Sequence, residues 1–296
     1  MKRKKLKKSK FKVFDGVIIC FFSILALLTL YPFYNVLIVS LSNTTATASH
    51  MPYIFPYVID LTGYKTILND INFIKSLGVS LFVTIVGSTV NMFLSVTGAY
   101  VLSKKHLFGR QFMMGMILFT MLFNGGLVPT YLTVKNLHLI NSIWSMILPA
   151  AISTYYLIIM KNYFMNLPAG LIEAAKIDGA GEWTILWKIA IPISKPFMAT
   201  FLLFYSVERW NEWYNALLYI SEKSLAPLQI YLRDILISMN TQLTAQAQQM
   251  LNSSQKISAT SVQMAAIMVT AVPIICVYPV LQKYFVNGVM VGGLKE

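Results

Sequence analysis

The chain has 296 residues, of which 56% are apolar and only 12% charged, about half the charge of an ordinary soluble domain. With a mean hydropathy of +0.63, this excludes a water-soluble fold and implies apolar runs of about 20 residues that cross a bilayer as helices. The net charge of +13 would suit a nucleic-acid partner, but its placement argues against one.

Eight of the 24 basic residues fall in the first twelve positions (Lys2, Arg3, Lys4, Lys5, Lys7, Lys8, Lys10 and Lys12), where they meet anionic lipid and set orientation. The apolar run behind them, Val17 to Leu41, is longer than a signal-peptide core and lacks a small-residue cleavage site, so it is expected to remain as a first helix. Six apolar segments are expected in all, at 16–41, 73–103, 112–130, 142–164, 196–221 and 264–285. The fold class is therefore all-α integral membrane. The chain divides into a basic tail (1–15), a first helix with an external loop (16–72), a core (73–285) and a C-terminal tail (286–296).

An even number of spans puts both termini on one side. With the basic tail inside, Lys104, Lys105 and Arg110 follow the second span, Lys161, Lys176, Lys188 and Lys195 the fourth, and Lys283 and Lys295 the sixth. Lys65, Lys135, Lys223, Arg233 and Lys256 fall outside, so basic residues favour the inside by about three to one. Cys20 and Cys276 each lie in an apolar segment, and His50, His106 and His138 are far apart. No disulfide framework, metal site or cofactor site is expected from them.

In the second span Ser80, Thr84, Gly87, Asn91, Ser95 and Gly98 recur every three or four residues, a face that packs closely on other helices or lines a cavity. Asn124-Gly125-Gly126 interrupts the third segment, and Pro273 and Pro279 bend the sixth. The external connection 222–263 is rich in Gln, Ser, Asn and Thr, as a docking element or a flexible connector would be.

The longest internal connection, 165–196, reads as two short helices parted by Gly179 and Gly181, with Pro168 in the first turn. Trp183, Leu186, Trp187 and Ala190 stand at i, i+3, i+4 and i+7, an apolar stripe outside the membrane that needs a cover. Gly170, Ala174 and Ala175 give the first helix a low profile, with Glu173, Lys176 and Asp178 at its rim. The stripe fits a partner's groove or, equally open at this point, the chain's own spans. In the fifth span Glu208, Arg209 and Glu212 carry charge through an apolar segment, each costing about 2.5–3.5 kcal/mol at the bilayer centre. Glu208 and Glu212 share a face at i, i+4 and Arg209 lies i, i+3 from Glu212, so internal pairing offsets part of that cost. They form either a charge lock at an interface or, with the ring faces of Trp210 and Trp213 and the amide of Asn211, a path for sugar.

Glu173-Ala174-Ala175, then Gly179, Ile189 and Ile191-Pro192 at fixed spacing, resemble the EAA loop of bacterial binding-protein-dependent ABC importer permeases. Val128-Pro129-Thr130-Tyr131-Leu132, Asn141-Ser142, Trp210-Asn211-Glu212 and Gln282-Lys283-Tyr284-Phe285 extend the resemblance to the sugar branch, from about residue 70 to the C-terminus. Glu182 and Asn287 depart from the family pattern. The resemblance implies a six-helix type I importer permease fold in the bacterial cytoplasmic membrane. Glu173, Ala174, Ala175, Asp178, Gly179, Trp183, Trp187, Ile189 and Pro192 would couple it to a cytoplasmic ATPase dimer. A second homologous permease and an extracytoplasmic solute-binding protein are the other implied partners, and an oligosaccharide the substrate. The chain itself has no GxxxxGK[ST] phosphate loop, since Tyr64 precedes Lys65-Thr66 and Ile74 precedes Lys75-Ser76. It is expected to hydrolyse nothing. The alternatives are a secondary transporter or channel working alone, with the fifth-span carboxylates as coupling sites, and a membrane enzyme, for which no catalytic cluster is present.

Overall fold

A computed structural model describes residues 13–42, 55, 58–249 and 260–276. The basic tail up to Lys12, Lys256, Pro279 and everything read from Gln282, Asn287 and Lys295 lie outside the described residues. Those that are described form helices and turns, with one isolated bridge, Ser42 to Ile59, as their only strand-like pairing. The chain divides into two compact units, one ending at Ile67 and resuming over Leu236–Val269, the other running over Leu68–Ile235 and resuming from Thr270.

In the first unit α1 (Val13–Ser40) is 28 residues long, about 42 Å at 1.5 Å per residue. Phe14, Phe21, Phe22, Leu27, Leu28 and Phe33 are all exposed along it; a helix apolar all round and uncovered by protein faces lipid. Its end is closed by Ser42 Oγ donating to the Ile38 carbonyl at 2.6 Å and by a 2.7 Å hydroxyl pair between Ser40 and Tyr64. Tyr64 sits on α2 (Thr62–Leu68), which starts where Asp60 Oδ1 accepts the Thr62 amide at 2.9 Å. Gly63 lets this helix approach residue 261, since a Cβ there would lie 3.1 Å from the Ser261 carbonyl oxygen.

The second unit is organised by α3 (Ile71–Ser103), capped by Asp70 accepting from the Asn72 amide. The small and polar face expected on this span is a packing face that the chain fills itself. Ser95 shares a 2.7 Å hydrogen bond with the Tyr205 hydroxyl, Asn91 Nδ2 donates to the Ala150 carbonyl at 3.2 Å, and Ser80 Oγ accepts the Leu228 amide at 2.7 Å. Gly98 sits against Leu157 and Gly87 against Arg209. Thr84 Oγ1 is buried without a partner among the described residues.

The third apolar segment is bent, and the fifth begins at a bend. Arg110–Leu122 (α4) and Leu127–Asn136 (α5) meet at 116°, the turn being made at Gly126, whose φ of 89° is costly for any other residue. The fourth segment divides into α6 (Trp144–Ile147) and α7 (Thr154–Met165). Farther on, α8 (Ala169–Ile177) precedes α9 (Glu182–Ile193), which turns by 88° into the segment Lys195–Tyr219. That segment holds α10 (Lys195–Trp210) and α11 (Tyr214–Tyr219). By length and composition α1 and α3 are each able to cross a membrane alone, and each bent pair supplies a further candidate. The core of this unit joins Val96, Ala99 and Tyr100 of α3 to Leu157, Met160 and Phe164 of α7, Ile185, Leu186 and Ala190 of α9, and Phe201 and Tyr205 of α10.

The segment read as a docking element or a flexible connector has a regular structure. The polar connection 222–263 is helical over Leu228–Gln249 (α12). Its polarity suggested a loop, but between 228 and 249 it has neither Gly nor Pro and is rich in Leu and Gln, residues with high helix propensity. Leu228 is fully buried at its start. A helix Thr260–Cys276 (α13) follows.

Candidate functional site

The connection between α7 and α10 forms an elbow of two helices. α8 ends in a Schellman turn: the Gly179 amide donates to the Lys176 carbonyl at 3.0 Å and the Ala180 amide to the Ala175 carbonyl at 2.9 Å. Gly179 has φ 78°, so the glycine is required by the turn. The break read from Gly179 and Gly181 is therefore present, and Pro168 stands one position before the first helical residue.

The apolar stripe divides. Leu186 and Ala190 are buried in the chain's own core, together with Ile185 and Ala175, whereas Trp183 and Trp187 are 61% and 49% exposed. The physical cause is a π-turn over Leu186–Ala190, which winds more slowly than an α-helix and rotates the two sets apart. The inner part of the stripe thus packs on the chain's own core, and Trp183 and Trp187 are left uncovered on the other side of the helix. Glu173, Ala174, Asp178 and Pro192 are exposed and Ile189 is half-buried. Ile177, a residue the sequence reading passed over, is 86% exposed on the same elbow.

A cluster that the sequence did not announce ties this elbow to the second span. The Glu182 carboxylate accepts from the Tyr100 hydroxyl at 2.7 Å and pairs with Lys104 at 2.8 Å and Lys176 at 2.9 Å. Glu182, treated as a departure from the family pattern, is here the link between α3, α8 and α9. Desolvation works against its ionisation, but hydrogen bonds from Lys104, Tyr100 and Lys176 outweigh it and hold the carboxyl at about 2, below the ordinary 4.5. A depressed pKa stabilises the fold above the unfolded value, and the contribution is lost as pH falls from 4.5 toward 2. Because the carboxylate is half exposed, the cluster is worth only about 1 kcal/mol. The purified protein should therefore lose about 1 kcal/mol more stability between about pH 5 and about pH 2 than Glu182→Gln does. Thermal midpoints with superimposable pH profiles would assign the cluster no energetic role.

In the charged fifth span the arginine is drawn into the chain's own fold. Arg209 is only 3% exposed. Its Nη1 donates to the Met146 carbonyl at 2.6 Å, and its Nη2 to Asn91 Oδ1 at 3.1 Å, to the Ile147 carbonyl at 3.3 Å and to the Ala150 carbonyl. Glu212 Oε2 lies 3.6 Å from Nη1, as the i, i+3 spacing suggested. The i, i+4 face expected for Glu208 and Glu212 does not form, because α10 ends at Trp210 and Glu212 instead accepts from the Asn215 amide and side chain at 3.0 and 3.1 Å. Glu208 accepts from the Tyr156 hydroxyl at 2.6 Å. Arg209 and Trp210 thus lie inside the fold, the Trp210 Nε1 without a partner among the described residues. Asn211 and Trp213 remain exposed, beside exposed Tyr214. Among the described residues no group of His, Cys, Asp or Glu is placed to hold a metal ion.

Comparison with known proteins adds three observations. Residues 78–291 match the model of the family described as binding-protein-dependent transport system inner membrane component. Two relatives from Bacillus subtilis (strain 168) are each 40% identical. Protein LplC aligns over 284 residues, 96% of this chain and 95% of the relative, and the polygalacturonan/rhamnogalacturonan transport system permease YtcP over 286 residues, 97% and 99%. A crystal structure of a bacterial ABC transporter involved in the import of the acidic polysaccharide alginate contains a chain that superposes with a TM-score of 0.84 and 31% identity, covering 95% of this chain and all of that one.

Proposed function

This chain belongs to the family of binding-protein-dependent transport system inner membrane components, a membrane permease subunit of an ABC importer and not an enzyme, and from that premise we propose that it carries acidic oligosaccharides across the bacterial cytoplasmic membrane. The carrying observation for coupling is the outward face of the elbow, where Ile177, Trp183 and Trp187 are uncovered by their own chain. Exposed indole and aliphatic side chains on a helix beyond the spans are suited to fill a groove on a partner protein. We assign that partner as the ATPase dimer, with Glu173 and Asp178 at the rim of the contact and Ala174 allowing close approach. A second permease and an extracytoplasmic binding protein complete the importer, and both termini lie on the ATPase side.

The substrate class is supported by the names of the relatives, which concern polygalacturonan, rhamnogalacturonan and alginate. In this chain the carboxylates of the fifth span are occupied, Glu208 by Tyr156 and Glu212 by Arg209 and Asn215. An anionic sugar is then met by the ring faces of Trp213 and Tyr214 and the amide of Asn211, beside a Glu212 whose charge is offset by Arg209. The test is uptake into proteoliposomes holding this chain, its second permease, the ATPase and the binding protein. Expected is ATP-dependent entry of oligogalacturonide, with Trp213→Ala lowering uptake and leaving assembly intact. Uptake driven by an ion gradient without ATP overturns the reading in favour of a secondary transporter, and entry of neutral maltooligosaccharide alone overturns the acidic substrate.

A further inference from the structure

A groove of about 570 Å³ lies between α3 and α4, lined among others by Gly98, Leu102, Phe112, Met113, Met116 and Ile117. Phe112 and Met116 are exposed at its mouth, so the groove opens sideways, away from the packed core. Its end is marked by cations. Arg110 Nε donates to the carbonyl of Leu102, a groove residue, at 2.9 Å, and Arg110 Nη2 reaches Met165 Sδ at 3.3 Å. Lys161 precedes Met165 by four residues on α7, hence on the same helix face, and lies within electrostatic range of Arg110. Lys105 is exposed in the turn between α3 and α4.

Among the described residues the ion pairs involve Lys104, Lys176, Arg209 and Arg233, and no carboxylate pairs with Lys105, Arg110 or Lys161. Two neighbouring positive side chains repel unless a negative group sits between them. Here the cations adjoin an apolar trough at the end of a membrane helix. Phe108, 98% exposed in the same turn, projects an aromatic ring beside it, as membrane-interface segments do.

We propose that the groove is a binding site for an anionic phospholipid, with the phosphate held by Arg110 and Lys161 and one acyl chain lying along Met113, Met116 and Ile117. Basic pockets between membrane helices recognise such headgroups, each Lys or Arg adding about 1 kcal/mol, which is about fivefold in affinity. The inference rests on the membrane location of the chain and is independent of its substrate.

The probes are dioleoylphosphatidylglycerol and dioleoylphosphatidylcholine, titrated onto the full-length chain with its co-purifying subunits in mild detergent and read by native mass spectrometry. Expected is retention of the glycerol lipid in preference to the choline lipid. Lys105→Gln/Lys161→Gln, which leaves Arg110 bonded to Leu102, should weaken the glycerol lipid about fivefold per charge removed and leave the choline lipid unchanged. Met116→Trp, which fills the groove, should weaken both. Equal retention of the two lipids overturns the proposal, as does indifference to all three substitutions. A complex that takes up neither lipid means that a protein subunit covers the groove, which overturns it too.

Discussion

Replacing Arg209 with methionine is expected to cost about 3–5 kcal/mol of stability, the usual consequence of removing one member of a buried ion pair. The guanidinium is the shared donor for three backbone carbonyls and Asn91 Oδ1, and its loss leaves Glu212, with a side chain only 10% exposed, without its counter-ion. Those groups cannot recover water, so the full desolvation cost is felt. Thermal unfolding in detergent, monitored by a conformational probe, should show a fall of several degrees or failure to accumulate in the membrane. Gly87→Val approaches the same site from α3: a Cβ there meets Arg209 Cδ at 3.0 Å, and overpacking of this kind costs about 1–3 kcal/mol. An Arg209→Met protein with wild-type stability would remove the arginine from the architecture and return it to consideration as a transport residue.

Ile177→Asp combined with Trp183→Ala should release the ATPase while sparing the permease. Both side chains are mostly exposed, at 86% and 61%, so the isolated chain loses little by their replacement. At an interface, loss of a buried tryptophan costs about 2 kcal/mol or more, about thirtyfold in affinity, and the aspartate adds an unpaired charge. Pull-down of the ATPase on the tagged permease should fail, with the permease midpoint within about a degree of wild type. An ATPase that stays bound refutes docking on this face. A lowered midpoint would mean instead that these side chains pack on their own chain in the assembled state.

What could be read from the residues was mostly local. Glycine punctuation at Gly179 and Gly126 marked turns that are present, since the φ values at both are positive, and the i, i+3 spacing of Arg209 and Glu212 marked their ion pair. The unread part depended on partners distant in the chain. Glu182 stands out only beside Tyr100, 82 residues earlier, and Arg209 is held chiefly by carbonyls 59 to 63 residues away. Backbone acceptors of that kind leave no trace in side-chain pattern. The division of the Trp183 stripe escaped for another reason: a π-turn changes the helical period that the pattern assumes. The helix over 228–249 was missed because polarity was weighed above propensity.

The right angle between α9 and Lys195–Tyr219 has a mechanical consequence. One arm is gripped through Ile185, Leu186 and Ala190, so a sideways push applied at Trp183 would be handed through Ser194 to the second arm as a tilt. Ser194 is itself fully enclosed, which leaves the corner little slack. Lys195–Trp210 is 16 residues long, about 24 Å, and a tilt of about 5° carries its far tip through about 2 Å. Under such a push the joint would work as a bell crank, with the arginine knot at the end of its longer lever.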